Sequence, residues 1–253
     1  MKIVSDQIYL AAAGKRGVGD LYLPSDAVPR GTVLAIHGGG WNALNKSSFA
    51  GVAEFLCECG FAVFNINYRL LDAGPWPLCG DDCLKAAEFL LSGMLERFTG
   101  AKCSRILIVG ASAGGHLALM TGLRLPPESV GGIVSISGVD DLNSFLSTED
   151  RHVFFGRTPL QKEFDAANPI HYIRFGQPPV LLTHSRFDSV APFAAAETFL
   201  AQCRKAGAVA ELYEYDRNES PPSHCIWIPG TNPHRLYPDL EDVIRNFLEL
   251  REC

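Results

Sequence analysis

Short apolar runs alternate along this chain with stretches whose apolar positions recur every three or four residues. Runs such as Val33-Leu34-Ala35-Ile36 are apolar at every position, as expected for strands buried on both faces. Strands are predicted over 19–23, 32–37, 62–67, 105–109, 132–137, 180–184 and 210–215. Between them, Phe49, Val52, Ala53 and Leu56 form one helical stripe, and Leu240, Val243, Ile244, Phe247 and Leu248 form another near the end. Strand alternating with helix implies right-handed crossovers and a mostly parallel sheet with helices on both faces. This is an α/β fold, read as a single domain over 1–253 with no internal repeat or linker.

Two segments break the alternation. Residues 140–170 mix Asp, Asn, Phe, Arg and Pro directly after a strand, at the carboxyl edge where α/β sheets bind ligands. They are expected to form either a lid over a pocket or a surface excursion with short helices. Residues 217–238 carry prolines at 221, 222, 229, 233 and 238, which argues for a long ordered loop and against a helix.

Composition narrows the function without naming it. Hydrophobic residues make up 47% and charged residues 20% of 253 positions, ordinary values for a soluble globular chain. The net charge of -6 argues against a nucleic-acid partner. No apolar run approaches the roughly 20 residues that span a bilayer, and the start, Met1-Lys2-Ile3-Val4-Ser5-Asp6, lacks a signal-peptide core. A cytoplasmic protein is therefore expected. Its eight cysteines are then expected to be reduced and structural. Cys57-x-Cys59 and Cys79-x3-Cys83 lack a partner pair at zinc-site spacing, so neither metal nor cofactor is called for. The charge and the spacings leave the oligomeric state open.

The chemistry concentrates in Gly110-Ala111-Ser112-Ala113-Gly114, a G-x-S-x-G that follows the apolar run 105–109 and opens the Ala-, Leu- and Met-rich stretch 115–125. Strand, sharp turn and helix in that order present a serine hydroxyl at the top of a sheet as a nucleophile. Upstream, His37-Gly38-Gly39-Gly40-Trp41 follows another strand, and its glycines let backbone N–H groups point outward. With the amide of Ala113, those of Gly39 and Gly40 form the predicted oxyanion hole. The acid and the base that accompany such an elbow come later in the chain, in that order. Asp188, on the loop after the 180–184 strand, is the preferred acid, with Asp140 and Asp141 as competitors and helix capping as the alternative role. His224 is the preferred base because it lies on the loop after the last strand, and His234 is its rival. His37 and His116 precede the acid or lie within the following helix, so they are read as anchoring and packing residues.

Taken together, these pieces resemble the α/β-hydrolase superfamily, specifically the hormone-sensitive-lipase-like and related compact carboxylesterases. The resemblance also covers Asn67-Tyr68-Arg69-Leu70, 77–82, Asn168-Pro169-Ile170 and 178–192. It implies a sheet of about eight mostly parallel strands and hydrolysis of short-chain, acetyl or aryl esters through an acyl-enzyme. Ala111 stands where many of these esterases have an acidic residue. Only 36 residues precede His37, fewer than a helical N-terminal cap requires. The resemblance therefore points to little or no cap, as in feruloyl and acetyl esterases and kynurenine formamidase-like enzymes. An amide or formamide hydrolase uses the same constellation, and a non-catalytic binding module on the same scaffold is a third reading. Trp41, Phe145, Phe154 and Phe155 are candidates for an aromatic pocket or for core.

Overall fold

The computed structural model describes residues 1–25, 28–100, 102–217, 224 and 226–251. In chain order the elements are β1 (Lys2–Ile8), β2 (Val18–Leu23), β3 (Thr32–Ile36), α1 (Ala50–Glu58), β4 (Ala62–Ile66), α2 (Leu78–Phe89), the short α3 (Glu96–Thr99), β5 (Ile106–Ala111) and α4 (Ala113–Arg124). After these come β6 (Val130–Ile136), α5 (Leu142–Phe145), α6 (Thr148–Phe155), α7 (Gln161–Ala167), β7 (Val180–Ser185), α8 (Phe193–Ala206), β8 (Ala210–Tyr215) and α9 (Pro238–Glu249). The strands form one sheet in the order β1-β2-β4-β3-β5-β6-β7-β8. The first two pairings, β1 with β2 and β2 with β4, are antiparallel, and the rest are parallel.

Each of the seven strands predicted from apolar runs has a counterpart, to within two residues at either end. The eighth, β1, was not predicted. It lies at the sheet edge, most of its residues are exposed, and Lys2-Ile3-Val4-Ser5-Asp6-Gln7-Ile8 has neither an apolar run nor a strict alternation. The central strands β3, β4, β5 and β6 are buried at every position, which is why their sequences are mostly apolar, with Thr32, Asn65 and Ser135 as buried polar exceptions.

Two apolar layers flank the sheet. On one side, Phe49, Val52, Ala53 and Leu56 of the α1 region pack with Leu240, Ile244, Phe247 and Leu248 of α9. On the other, α2, α4 and the 140–170 helices converge. Helix α4 is buried from Ala113 to Leu123. It fits because small residues face the sheet: a Cβ on Gly122 would lie 2.4 Å from the Ile133 side chain. The 140–170 segment is α5, α6 and α7. Phe154 and Phe155 are buried, and Phe154 packs on Trp41 and Trp76 at ring separations of 4.9 and 5.4 Å.

Of the 217–238 loop, 218–223 and 225 lie outside the described residues. Its described part up to Tyr237 is non-helical and includes a bridge between Trp227 and Leu236. Cys57, Cys59, Cys79, Cys83, Cys103 and Cys203 are free thiols, and burial pushes that of Cys79 up to about 12. Cys225 and Cys253 lie outside the described residues. Among the described residues no helix is long and apolar enough to cross a membrane.

Candidate active site

Ser112 occupies the single residue between β5 and α4 and adopts φ 56° and ψ -125°. This backbone region is unfavourable for a side-chain-bearing residue. The surroundings hold it there. The Ser112 amide donates to Ile136 O at 2.9 Å, and its carbonyl accepts from Gly115 N at 2.8 Å and from His116 N at 3.3 Å. The flanking glycines are steric requirements. A Cβ on Gly114 would come within 2.3 Å of Ile36 O, and one on Gly115 within 2.6 Å of Ser135 Oγ.

The glycine loop after β3 lies against this turn. A Cβ on Gly38 would sit 2.8 Å from Ala111 O and 3.0 Å from Ser112 Cβ. Gly39 has φ +103°, Gly40 φ +57°, and Gly39 O accepts from Asn42 N and Ala43 N at 3.1 and 2.9 Å. Among the described residues, the amides of Gly39, Gly40 and Ala113 donate to no protein acceptor.

His37 anchors the base of this loop. It is fully buried and stacks on Tyr68 at 4.3 Å, and its Nδ1–H donates to Gly38 O at 2.7 Å. The Tyr68 hydroxyl donates to His37 O at 3.0 Å. Burial pushes the His37 imidazole down to about 4. His116 is packed among aromatic rings. Trp41 Nε1–H donates to its Nδ1 at 3.3 Å, and its Nε2–H donates to Ala167 O at 2.8 Å. Burial holds it near 4 as well.

Residues far apart in the chain meet at Ser112. His224 Nε2 lies 2.9 Å from Ser112 Oγ, and His224 Nδ1 lies 2.8 Å from Asp188 Oδ2. The other oxygen, Asp188 Oδ1, accepts from the amides of Val190 and Ala191, both at 2.8 Å. Burial raises the Asp188 carboxyl, but the bond from His224, its charge and the two amides outweigh burial and hold it below its ordinary value. The competing carboxylates are engaged elsewhere. Asp140 accepts from Ser135 Oγ at 2.6 Å, while Asp141 caps α5 and accepts from Asn168 Nδ2 at 2.7 Å. His234 makes no hydrogen bond to Ser112 or Asp188 and stacks on Trp227 at 5.7 Å.

A cavity of about 290 Å³ opens on Ser112, lined by Gly38, Gly39, Gly40, His224 and an apolar wall that includes Leu44, Phe49, Val190 and Trp227. His234 also borders it. None of the 140–170 aromatics does. Trp41, Phe154 and Phe155 are buried against one another, and Phe155 borders a separate cavity of about 420 Å³ with Trp76 and Tyr172. Among the described residues, no three His, Cys, Asp or Glu side chains gather as a metal ion requires.

No sequence pattern marks Phe49, Leu44, Val190 or Trp227 as cavity residues: Phe49 belongs to a helical stripe, and the others stand in loops without a period. Two of the resembling stretches prove to touch: Arg69 Nε donates to Asp82 Oδ2 at 2.9 Å, and the Arg69 amide donates to the same oxygen at 2.8 Å.

The strand order, with a serine turn after the fifth strand and an acid after the seventh, defines an α/β-hydrolase fold. The chain belongs to the BD-FAE family, whose model matches residues 19–202. It is similar to the versiconal hemiacetal acetate esterase stcI of Emericella nidulans, 29% identical over 136 residues that make up 52% of this chain and 45% of that protein. It is also similar to esterase LipQ of Mycobacterium tuberculosis, 26% identical over 223 residues, 79% of this chain and 52% of that one. The chain thus spans about half the length of these curated relatives. Among solved structures, a truncated form of a carbohydrate esterase from gut microbiota matches 99% of this chain and 96% of its own, with a TM-score of 0.84 at 20% identity.

Proposed function

We propose that the protein is a serine carboxylesterase that hydrolyses short-chain, acetyl or aryl esters. The observation that carries this reading is the continuous line of contacts from Asp188 through His224 to Ser112. Ser112 Oγ attacks the ester carbonyl carbon while His224 Nε2 takes its proton. Asp188 keeps the Nδ1 proton on the ring and stabilises the imidazolium. The oxyanion is held by the Gly39, Gly40 and Ala113 amides, which have no competing acceptor among the described residues. His224 then protonates the departing alcohol. Water, deprotonated by His224, attacks the acyl-enzyme and releases the acid and Ser112.

The names of the relatives, esterases including one acting on an acetate ester, support the reaction class. A cavity of about 290 Å³ is at the small end for ligand sites, which supports a short acyl group. The test is a fluorophosphonate probe combined with p-nitrophenyl esters of increasing acyl length. The expected result is labelling at Ser112, turnover greatest on the shortest esters, and loss of both in Ser112→Ala. Labelling elsewhere, or turnover that survives Ser112→Ala, overturns the assignment.

A further inference from the structure

His184 is the penultimate residue of β7, fully buried, with its ring 5.8 Å from that of Phe193 at the start of α8. Its Nε2 lies 2.9 Å from Ala191 O. A carbonyl oxygen only accepts, so the proton is on Nε2. The same N–H is 3.6 Å from Asp188 Oδ2, too far for a hydrogen bond but close enough for its positive end to attract the carboxylate where water is excluded.

Ala191 is therefore held from both sides. Its amide donates to Asp188 Oδ1 and its carbonyl accepts from His184. The turn 188–191 has no other side chain fixing its backbone among the hydrogen bonds described. Its geometry decides which way the carboxylate faces. With Oδ1 tied to two amides, Oδ2 is left for His224. Asp140, also buried, is occupied by Ser135, whose Oγ donates to it at 2.6 Å.

We propose that His184 is a positioning residue for the acid: by clamping the Ala191 carbonyl it locks the 188–191 turn and aims Asp188 Oδ2 at His224. The proposal rests on the serine-esterase reading for its kinetic consequence, but not for its structural one. If the turn slackens, the hydrogen bond from His224 Nδ1–H to Asp188 Oδ2 weakens whether or not an ester is hydrolysed.

The test compares His184→Leu, which removes the donor, with His184→Gln, whose terminal amide can reproduce Nε2–H. The His224 Nδ1–H proton resonance is followed by NMR, and kcat and KM are measured on one short ester. His184→Leu is expected to lower kcat about tenfold to a hundredfold with KM little changed. It should also shift the His224 Nδ1–H resonance upfield as its hydrogen bond to Asp188 weakens. His184→Gln should restore most of both. The proposal is overturned if His184→Leu leaves that resonance in place, whatever happens to kcat, or if His184→Gln is as impaired as His184→Leu. Should the leucine variant fail to fold, His184→Asn, whose shorter amide cannot reach Ala191 O, is judged by the same two readings. A wild-type protein that no fluorophosphonate labels at Ser112 would defeat the esterase reading. The His224 Nδ1–H resonance would still decide the role of His184.

Discussion

Gly110 and Gly114 close the Ser112 turn upon itself: a Cβ on Gly110 would lie 2.0 Å from the Gly114 carbonyl oxygen. The spacing of the two glycines about the serine is thus a steric condition for the turn. On its other side, Gly114 meets the carbonyls of Ile36 and His37, where a Cβ would stand at 2.3 and 2.5 Å. The motif therefore also sets how closely the glycine loop can approach Ser112.

Either Gly110→Ala or Gly114→Ala should be damaging, because backbone atoms and not a flexible side chain meet the new methyl group. The expected destabilisation is about 3 kcal/mol, with a fall in kcat as the Ser112 turn shifts. Chemical denaturation and ester turnover measured on the same samples check both. A stable, fully active Gly114→Ala would show that the loop can retreat.

The two loop histidines should separate cleanly. His224→Ala removes the ring that touches Ser112 and Asp188, and kcat should fall about 10⁴-fold. His234→Ala removes only a cavity wall stacked on Trp227, so its effect should fall on KM, with kcat within about tenfold of wild type. Steady-state kinetics of the two variants on one ester distinguish them.

Stability should fall on acidification because of His37 and His116. Burial lowers both from an ordinary 6.5 to about 4. Above pH 6.5 neither the native nor the unfolded form is protonated at these sites. Between pH 6.5 and about 4 the unfolded chain binds protons that the native protein refuses, so stability declines as pH drops. Each ring contributes up to about 1.4 kcal/mol per pH unit in that window, and the loss levels off below it. Urea denaturation at stepped pH should show this slope, and His116→Gln should reduce it.

The Arg69–Asp82 pair should be structural in effect. The Asp82 side chain is 1% exposed and that of Arg69 25%. Removing only the carboxylate strands a guanidinium and a backbone amide. Asp82→Ala is expected to cost about 3 kcal/mol, read as a lower denaturation midpoint.

Burial pattern and local turn chemistry determined most of this architecture from the sequence alone. A strand covered on both faces must be apolar throughout, as 33–36 and 106–109 are, and a strained elbow tolerates only glycine at 110 and 114. β1 escaped because an exposed edge strand imposes no such pattern. Chain order alone made Ser112, Asp188 and His224 candidates together, but it could not rank His224 over His234 by contact. That ranking came from tertiary structure. Parallel crossovers carry the chain end of β7 and the loop after β8 to the same sheet edge as Ser112, so contacts across 112 and 36 positions are set by strand order and not by spacing. The cavity wall of Phe49, Leu44, Val190 and Trp227 was decided in the same way. So was the packing of Phe145 and Phe154 on Trp41, and of Phe154 on Trp76, which takes these rings out of water.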